Sequence, residues 1–190
     1  HYKGLDYESI NIDISKQQNQ SAEYLKINRH GLVPALVHNE IIVLESNLIN
    51  EYLDRVFHDK PLLPQEPLLI YRAQYLCKRQ EYINEQCFRY LSYKYSGRVH
   101  TLTNEEIQNH TQLDRRRFLR NLKKGLSNDD VGEIEAYLTD ELKYLDGILS
   151  NNDWLCEKNY TLADIAWTAA IFRLEQLGKL NILHDKKLNY

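Results

Sequence analysis

The feature that most constrains this chain is a proline at the entrance to a short apolar run, in the stretch Gly31-Leu32-Val33-Pro34-Ala35-Leu36. Proline lacks the N–H that a central strand donates, so Pro34 predicts a tight turn that leads into a strand. About 5–6% of X-Pro bonds in folded proteins are cis, so the sequence leaves the isomer of the Val33-Pro34 bond open. A cis bond would turn the Val33 backbone outward, where an extended peptide could pair with it as an added strand.

Two short β-branched runs around a polar turn predict a hairpin. The runs cover residues 33–37 and 41–44, and the turn is His38-Asn39-Glu40. Glu45-Ser46 then begins a helix, because apolar residues recur at i, i+3, i+4 and i+7 in Ile49, Tyr52, Leu53 and Val56. The first N–H groups of such a helix have no internal acceptor and carry partial positive charge, so they attract a carboxylate.

Glu45 and Ser46 have the chemistry to hold a zwitterionic amino-acid end. The Ser46 hydroxyl can donate to a carboxylate, and the negative charge of Glu45 suits an α-amino group. Serine and glutamate also begin many ordinary helices, so a simple N-cap role for Ser46 stays open. With the Val33 backbone, the pair predicts a site for a small acidic peptide.

A second motif lies near the end of the chain, at Thr161-Leu162-Ala163-Asp164. Thr161 at the N-cap and Asp164 three residues later predict a capping box, with the Thr161 side chain accepting from the Asp164 N–H. Tyr160 and Ile165 occupy the hydrophobic-staple positions. We therefore interpret Asp164 as a structural carboxylate rather than a catalytic one.

These motifs resemble a known family. The hairpin, Val33-Pro34 and Glu45-Ser46 resemble the thioredoxin-like half of a cytosolic glutathione S-transferase. The capping box before Ile165-Ala166-Trp167 resembles the core helix of that family's second domain. The long polar segment 96–128 is loosely similar to bacterial members near the glutathione-dependent β-etherases and dehalogenases, and to ganglioside-induced differentiation-associated proteins.

The resemblance implies a two-domain fold. We expect an α/β thioredoxin-like domain at 1–60, a proline-rich linker at 61–67 and an all-α helical bundle at 68–190. The first strand and most of the first helix of the family domain precede residue 1 in this comparison. The thiol-activating residue, which the family places there, is therefore left unassigned. Alternating isoleucines at positions 10, 12 and 14 predict a further strand.

The resemblance also implies how glutathione would be held. Glu45 and Ser46 would bind the γ-glutamyl end, and Val33 with Pro34 would present backbone to the cysteinyl amide. The family often places a side-chain donor for the glycyl carboxylate where this chain has Leu32. The substitute donors are then His30, Arg29 or Asn28, and loss of a charge-assisted hydrogen bond would weaken binding by roughly 1.5–3 kcal/mol.

The predicted helix 68–95 carries Tyr71, Tyr75 and Tyr82, which are candidates for the pocket of an acceptor substrate. An aromatic face packs on an apolar molecule and a phenol can donate to it. The same tyrosines fit an interdomain core, and the two interpretations are compatible.

Composition excludes several other classes of function. A net charge of −3 over 190 residues gives no electrostatic basis for nucleic-acid binding, and no apolar stretch is long enough to span a bilayer. Cys77, Cys87 and Cys156 match no metal-ligand spacing, and their odd number argues against a disulfide framework. We expect a reducing cytoplasm, no metal and no nucleic-acid partner, with Cys156 a buried apolar residue.

The function that the resemblance implies is that of a detoxifying glutathione S-transferase. It would bind glutathione as cosubstrate, transfer its thiolate to a small hydrophobic electrophile, and act as a homodimer. Two alternatives stay open. One is a glutathione-dependent reductive dehalogenase or β-etherase, and the other is a non-enzymatic adaptor, which Leu32 favours.

Overall fold

The computed structural model describes residues 2–94, 103–109 and 113–176. The chain forms two compact units that meet between residues 65 and 66, inside the segment predicted as a linker. Within the described ranges, no helix combines the length and apolarity needed to cross a membrane.

The first unit contains a short helix, a hairpin and a second helix. These are α1 (Ala22–Ile27), β1 (Ala35–His38), β2 (Ile41–Leu44) and α2 (Ser46–Val56). Ser21 starts α1, because its hydroxyl accepts the Tyr24 N–H at 3.2 Å.

The predicted hairpin is confirmed, with a tighter turn than expected. His38 belongs to β1 and pairs with Ile41, so only Asn39 and Glu40 form the turn. Both turn residues have positive φ, at 48° and 69°. Two left-handed residues match the right-handed twist of the strands that they connect, so this turn sets the register of the hairpin.

The strand predicted from the alternating isoleucines is wrong. Residues 5–13 are irregular, Ile10 is 72% exposed, and Ile14 begins a 3₁₀ turn at Ile14–Lys16. Among the described residues β1 and β2 form the only sheet, so the isoleucines have no neighbouring strand. The Asp13 side chain instead accepts the Ser15 and Lys16 N–H groups, which favours a local turn over an extended ladder.

A buried ion pair fastens the end of α2. The Lys3 ammonium lies 2.7 Å from an oxygen of Asp54 and also donates to the Phe57 carbonyl at 2.8 Å. Asp54 accepts the N–H groups of Leu62 and Leu63 at 2.8 and 2.9 Å. Burial by itself would raise the pKa of Asp54, but these donors together hold it below its ordinary value. The carboxylate therefore stays charged at neutral pH and ties three chain segments together.

The second unit is helical in its described residues. Its helices are α3 (Pro67–Lys94), α4 (Asn104–Asn109), α5 (Leu113–Lys124), α6 (Asn128–Leu149) and α7 (Leu162–Gln176). The long helix predicted from residue 68 is confirmed up to residue 94. Trp167 is buried and donates from its indole N–H to the Leu76 carbonyl at 3.0 Å, which joins α7 to α3.

A buried charge pair joins α3 to α6. Glu141 is 1% exposed and forms an ion pair with Arg79, whose Nε donates to it at 2.9 Å. The Arg79 guanidinium also lies over the rings of Tyr75 and Tyr144, and it donates to the Tyr75 hydroxyl at 3.0 Å. Glu141 is thereby neutralised where an unpaired carboxylate would be strongly destabilising.

Asp164 is the structural carboxylate that the sequence predicted. It is fully buried and accepts the N–H groups of Thr161 at 2.8 Å and Leu155 at 2.9 Å. The other half of the predicted box differs. The Thr161 hydroxyl accepts from the Ala163 N–H at 3.3 Å, and the Asp164 N–H reaches the Thr161 carbonyl at 3.1 Å. The hydroxyl is shifted because it also donates to the Asp164 carboxylate, at 3.0 Å.

Asp164→Ala will destabilise the second unit by roughly 3 kcal/mol, because two backbone N–H groups lose their acceptor in the core. Both tryptophans of the chain, Trp154 and Trp167, lie in this unit, so urea unfolding followed by tryptophan fluorescence reports on it. The matched control is Asp130→Ala, which removes the corresponding acid of the half-exposed Ser127 capping box and will shift the midpoint less. Equal shifts in the two variants would contradict this assignment.

Candidate functional site

The hairpin register brings the two predicted site motifs to the same end of the sheet. Ala35 pairs with Leu44, so the next position outward on one strand is Pro34 and on the other is Glu45. Directly opposed residues in an antiparallel pair lie roughly 5 Å apart between Cα atoms. Val33-Pro34 and Glu45-Ser46, far apart in sequence, are therefore neighbours in space.

The Val33-Pro34 peptide bond is cis, which decides the point that the sequence left open. Val33 is exposed, and no hydrogen bond in the described chain engages its backbone N–H or C=O. The hairpin ladder begins two residues later, at Ala35. Val33 thus presents a donor and an acceptor of the kind that an added extended peptide uses.

The N-terminus of α2 is open. Glu45 occupies the N-cap position but its side chain makes no capping hydrogen bond. The first bond of the helix runs from the Ile49 N–H to the Glu45 carbonyl at 2.8 Å, so the Ser46 amide has no acceptor inside the helix. Ser46 is exposed and is the first helical residue, so the alternative that it is an ordinary N-cap is wrong.

Glu45 joins the strand to the helix in a strained conformation. Its φ of 66° with ψ of 121° lies outside the regions that residues with a Cβ ordinarily occupy. Such a conformation costs on the order of 1–3 kcal/mol and is retained where its surroundings hold it in place. The carboxylate is exposed beside the open amides, which makes this end of the hairpin a place where positive and negative partners can both bind.

Of the three substitute donors predicted for a second carboxylate, Asn28 is excluded. It is 2% exposed, its amide donates to the Leu32 carbonyl at 2.8 Å, and its oxygen accepts the His30 N–H at 2.9 Å. A buried amide used inside its own loop cannot also meet a ligand. Arg29 and His30 are exposed in the same loop, with the Arg29 Nε 3.3 Å from the His30 ring.

Two side chains that hold this loop in place were not predicted from the sequence. The Tyr24 hydroxyl donates to the Leu32 carbonyl at 2.6 Å, and the Asn19 amide donates to the Gly31 carbonyl at 2.7 Å. No periodic pattern marks either residue. Gly31 is the available signal, because its φ is +59° and an added Cβ would stand 2.9 Å from the Asn19 backbone oxygen.

The three tyrosines proposed for an acceptor pocket lie on the exposed side of α3. Tyr71 and Tyr75 are stacked, with ring centroids 5.9 Å apart, while Lys78 lies over the ring of Tyr82 at 5.9 Å. Tyr71 is 62% exposed. Within its own unit, α3 therefore presents aromatic surface to the outside.

The environments of Cys87 and Cys156 do not indicate an activated thiol. Burial raises the pKa of Cys87 to about 11 and also raises the pKa of Cys156, which is fully buried as predicted. Both thiols are protonated at neutral pH, whereas nucleophilic cysteines have lowered pKa values. In the part of the chain that the structure describes, no cluster of three or more acidic, histidine or cysteine side chains could hold a metal ion.

Two family models match the chain in the order of its two units. The model described as glutathione S-transferase, N-terminal domain, matches residues 1–55. The model described as glutathione S-transferase, C-terminal domain, matches residues 127–183. Together with the solved structure described next, they confirm the predicted fold class, a thioredoxin-like domain followed by a helical one.

Similar proteins include enzymes of several names. The chain is 27% identical to Protein LigF of Sphingobium sp. strain SYK-6 over 185 residues, which are 93% of this chain and 72% of LigF. The solved structure of that β-etherase superposes with a TM-score of 0.81 over 97% of this chain and 81% of LigF, at 26% identity. A tetrachloro-p-hydroquinone reductive dehalogenase of Sphingobium chlorophenolicum is 24% identical over 92% of this chain and 75% of its own length.

Higher identity is found over a shorter stretch. Glutathione S-transferase 1 of Dianthus caryophyllus is 44% identical over 66 residues, which are 35% of this chain. The matched stretch spans only 30% of that relative's length.

Glu45→Gly will leave the first unit more stable than Glu45→Ala, by roughly 1 kcal/mol, because glycine tolerates the positive φ and alanine does not. Both substitutions remove the carboxylate, so their difference isolates the backbone. Hydrogen exchange of the α2 amides measures it, since both tryptophans lie in the other unit. The usual order, with alanine more stable, would show that Glu45 is not strained.

Proposed function

The chain belongs to the glutathione S-transferase family, and from that premise we propose that it binds glutathione and transfers the tripeptide's thiolate to a small apolar electrophile. One observation carries the proposal. The hairpin register sets the unpaired backbone of Val33 beside the uncapped start of α2, with Glu45 and Ser46 between them. This arrangement offers each polar group of a γ-glutamyl-cysteinyl peptide a partner of the right kind.

In this proposal the two ends of the γ-glutamyl group bind oppositely charged partners. Its α-carboxylate accepts from the Ser46 hydroxyl and the first α2 amides, where the helix dipole adds positive charge. Its α-amino group pairs with the Glu45 carboxylate. The cysteinyl backbone lies along Val33, with Pro34 turning the chain into β1. The Leu32 side chain has no donor, so Arg29 or His30 is left to meet the glycyl carboxylate.

The chemistry requires a thiolate at neutral pH. Lowering the thiol pKa from ~8.5 to ~6.5 takes roughly 2.7 kcal/mol of preferential stabilisation of the anion. We assign that role to none of the described residues. What the described site contributes is position, because a tripeptide held at both ends keeps its sulfur beside the acceptor. Tyr71, Tyr75 and Tyr82 are the proposed acceptor surface, since their exposed rings can pack on an apolar molecule.

A second candidate reaction is supported by the relatives that match most of the chain. One is named as a β-etherase and another as a reductive dehalogenase. In ether cleavage, the glutathione thiolate attacks the ether carbon. A carbon–sulfur bond forms while the carbon–oxygen bond breaks, and an aryloxide leaves. In reductive dehalogenation, an aryl halide and two glutathione molecules yield the reduced arene, glutathione disulfide and hydrogen halide. Both reactions use the same tripeptide site.

The wider setting follows from the same premise. We place the protein in the cytoplasm as a homodimer that removes reactive electrophiles, a detoxifying role. Cys87 and Cys156 form no disulfide, which is typical of a reducing compartment. The exposed apolar residues of the hairpin, among them Val37 and Ile41, offer surface for a second copy.

Ser46→Ala and Glu45→Gln will each raise the Kd for glutathione about tenfold or more, because each removes a charge-assisted hydrogen bond to the γ-glutamyl group. Isothermal titration calorimetry on the whole protein measures the effect. Ser127→Ala is the control, since it removes another helix-start serine, in the second unit, and will leave the Kd unchanged. Unchanged affinity in both site variants would overturn the site assignment.

The products will distinguish the candidate reactions. Incubation with glutathione and 1-chloro-2,4-dinitrobenzene, a β-aryl ether or a chlorinated hydroquinone, followed by mass spectrometry, identifies the sulfur-containing product. A thioether indicates transfer, with release of a phenol in the case of the ether. Glutathione disulfide formed in step with the dechlorinated ring indicates reductive dehalogenation. Glutathione binding without any turnover would indicate a binding module rather than an enzyme.

A further inference from the structure

Two buried donors converge on a single carbonyl directly before the site. The Leu32 C=O accepts the Tyr24 hydroxyl at 2.6 Å and the Asn28 amide at 2.8 Å. Tyr24 is 7% exposed and Asn28 is 2% exposed, whereas Leu32 and Val33 are each 40% exposed. A carbonyl oxygen has two lone pairs, so both acceptor positions of this oxygen are filled from the interior.

Because the Leu32 carbonyl is held in place, the direction of the Val33 N–H is also fixed. The Leu32 carbonyl and the Val33 N–H belong to one planar peptide group, and in a trans peptide they point in opposite directions. Among the described peptide bonds the cis bond is Val33-Pro34, so the Leu32–Val33 bond is trans. The Val33 N–H therefore points away from Tyr24 and Asn28, and it has no acceptor among the described residues.

The preceding peptide group is held in the same way. The Asn19 amide, itself 9% exposed, donates to the Gly31 carbonyl at 2.7 Å. The loop packs closely on this segment, because a Cβ on Gly31 would lie 2.9 Å from the Asn19 backbone oxygen. Two successive peptide planes are thus fixed by side chains from a segment upstream.

We propose that Tyr24 and Asn28 are positioning residues, which act through the Leu32 carbonyl to hold the Val33 N–H toward the cysteinyl carbonyl of bound glutathione. This inference rests on the proposed function and adds residues that touch no ligand. It also gives Asn28 a role different from the carboxylate contact expected from the sequence. Without the two donors the Leu32–Val33 peptide group is free to rotate, and the donor to the tripeptide is lost part of the time.

The phenol remains a donor over the working pH range. Burial raises the pKa of Tyr24 above its ordinary value of 10.0. The hydroxyl therefore keeps its proton at any pH where a glutathione thiolate is formed near neutrality.

Tyr24→Phe tests the inference, because it removes the hydroxyl and keeps the ring in the core. Calorimetry on the whole protein compares glutathione with N-(γ-glutamyl)cysteamine, which has the γ-glutamyl group and the thiol but no cysteinyl carbonyl. We expect the Kd for glutathione to rise about fivefold, the equivalent of one lost hydrogen bond, and the Kd for the analogue to stay within about twofold. A role limited to stability would weaken both ligands alike.

Tyr52→Phe is the matched control. Its hydroxyl lies 2.8 Å from the His38 ring nitrogen, in the same unit, and His38 is at the turn end of the hairpin. This variant will bind both ligands as the wild type does. Asn28→Asp is the second test, since aspartate keeps the acceptor for the His30 N–H and loses the donor to Leu32; it will show the same selective loss.

Three results would overturn the inference. They are an unchanged Kd for glutathione in both variants, an equal loss for both ligands, or failure of both variants to fold in thermal melts. Each of these leaves the proposed function intact if the wild type binds glutathione. A wild type that binds neither ligand would overturn the proposed function itself, and this inference with it.

Discussion

The pairing of Ala35 with Leu44 is the contact on which the candidate site depends. It is fixed by a two-residue turn of left-handed residues at the other end of the hairpin. A slip of one residue would turn every side chain of one strand to the opposite face and separate Pro34 from Glu45. The recognition surface is therefore built by a short ladder of backbone bonds rather than by the site residues themselves.

The polar groups of the chain fall into two kinds. Among the described residues, every buried side-chain nitrogen or oxygen has a partner, and Asp54, Glu141 and Asp164 each have several. The groups at the end of the hairpin are different, because the Val33 backbone and the Ser46 hydroxyl have no partner in the described chain. Polar groups that the fold leaves unused at an exposed, strained junction are those available to a ligand.

The two matched family models leave residues 56–126 uncovered, while similarity to LigF continues across most of the chain. The proposed tripeptide site lies in the part that the first model matches, and the proposed acceptor tyrosines lie in the uncovered part. A site for a common cosubstrate can thus persist while the surface for the second substrate varies.

The local elements were largely predictable, because their determinants are local. Helical periodicity predicted α2 and α3, the polar turn predicted the hairpin, and Thr161 with Asp164 predicted the start of α7. The strand predicted from Ile10 failed because a strand exists only through a neighbour, and the pattern contains no information about one.

The properties of the candidate site also separate into those set by the sequence and those set by the tertiary structure. The sequence by itself determined which groups were offered: a proline before a strand, an acid and a serine at a helix start, and a leucine where a donor was expected. Only the tertiary structure decided the isomer at Pro34, the absence of a side-chain capping hydrogen bond at the start of α2, and the burial of Asn28. The contacts of Tyr24 and Asn28 with the Leu32 carbonyl also belong to that second group. The physical reason is that a hydrogen bond between a side chain and a distant carbonyl depends on where two chain segments pass each other, which no residue spacing records.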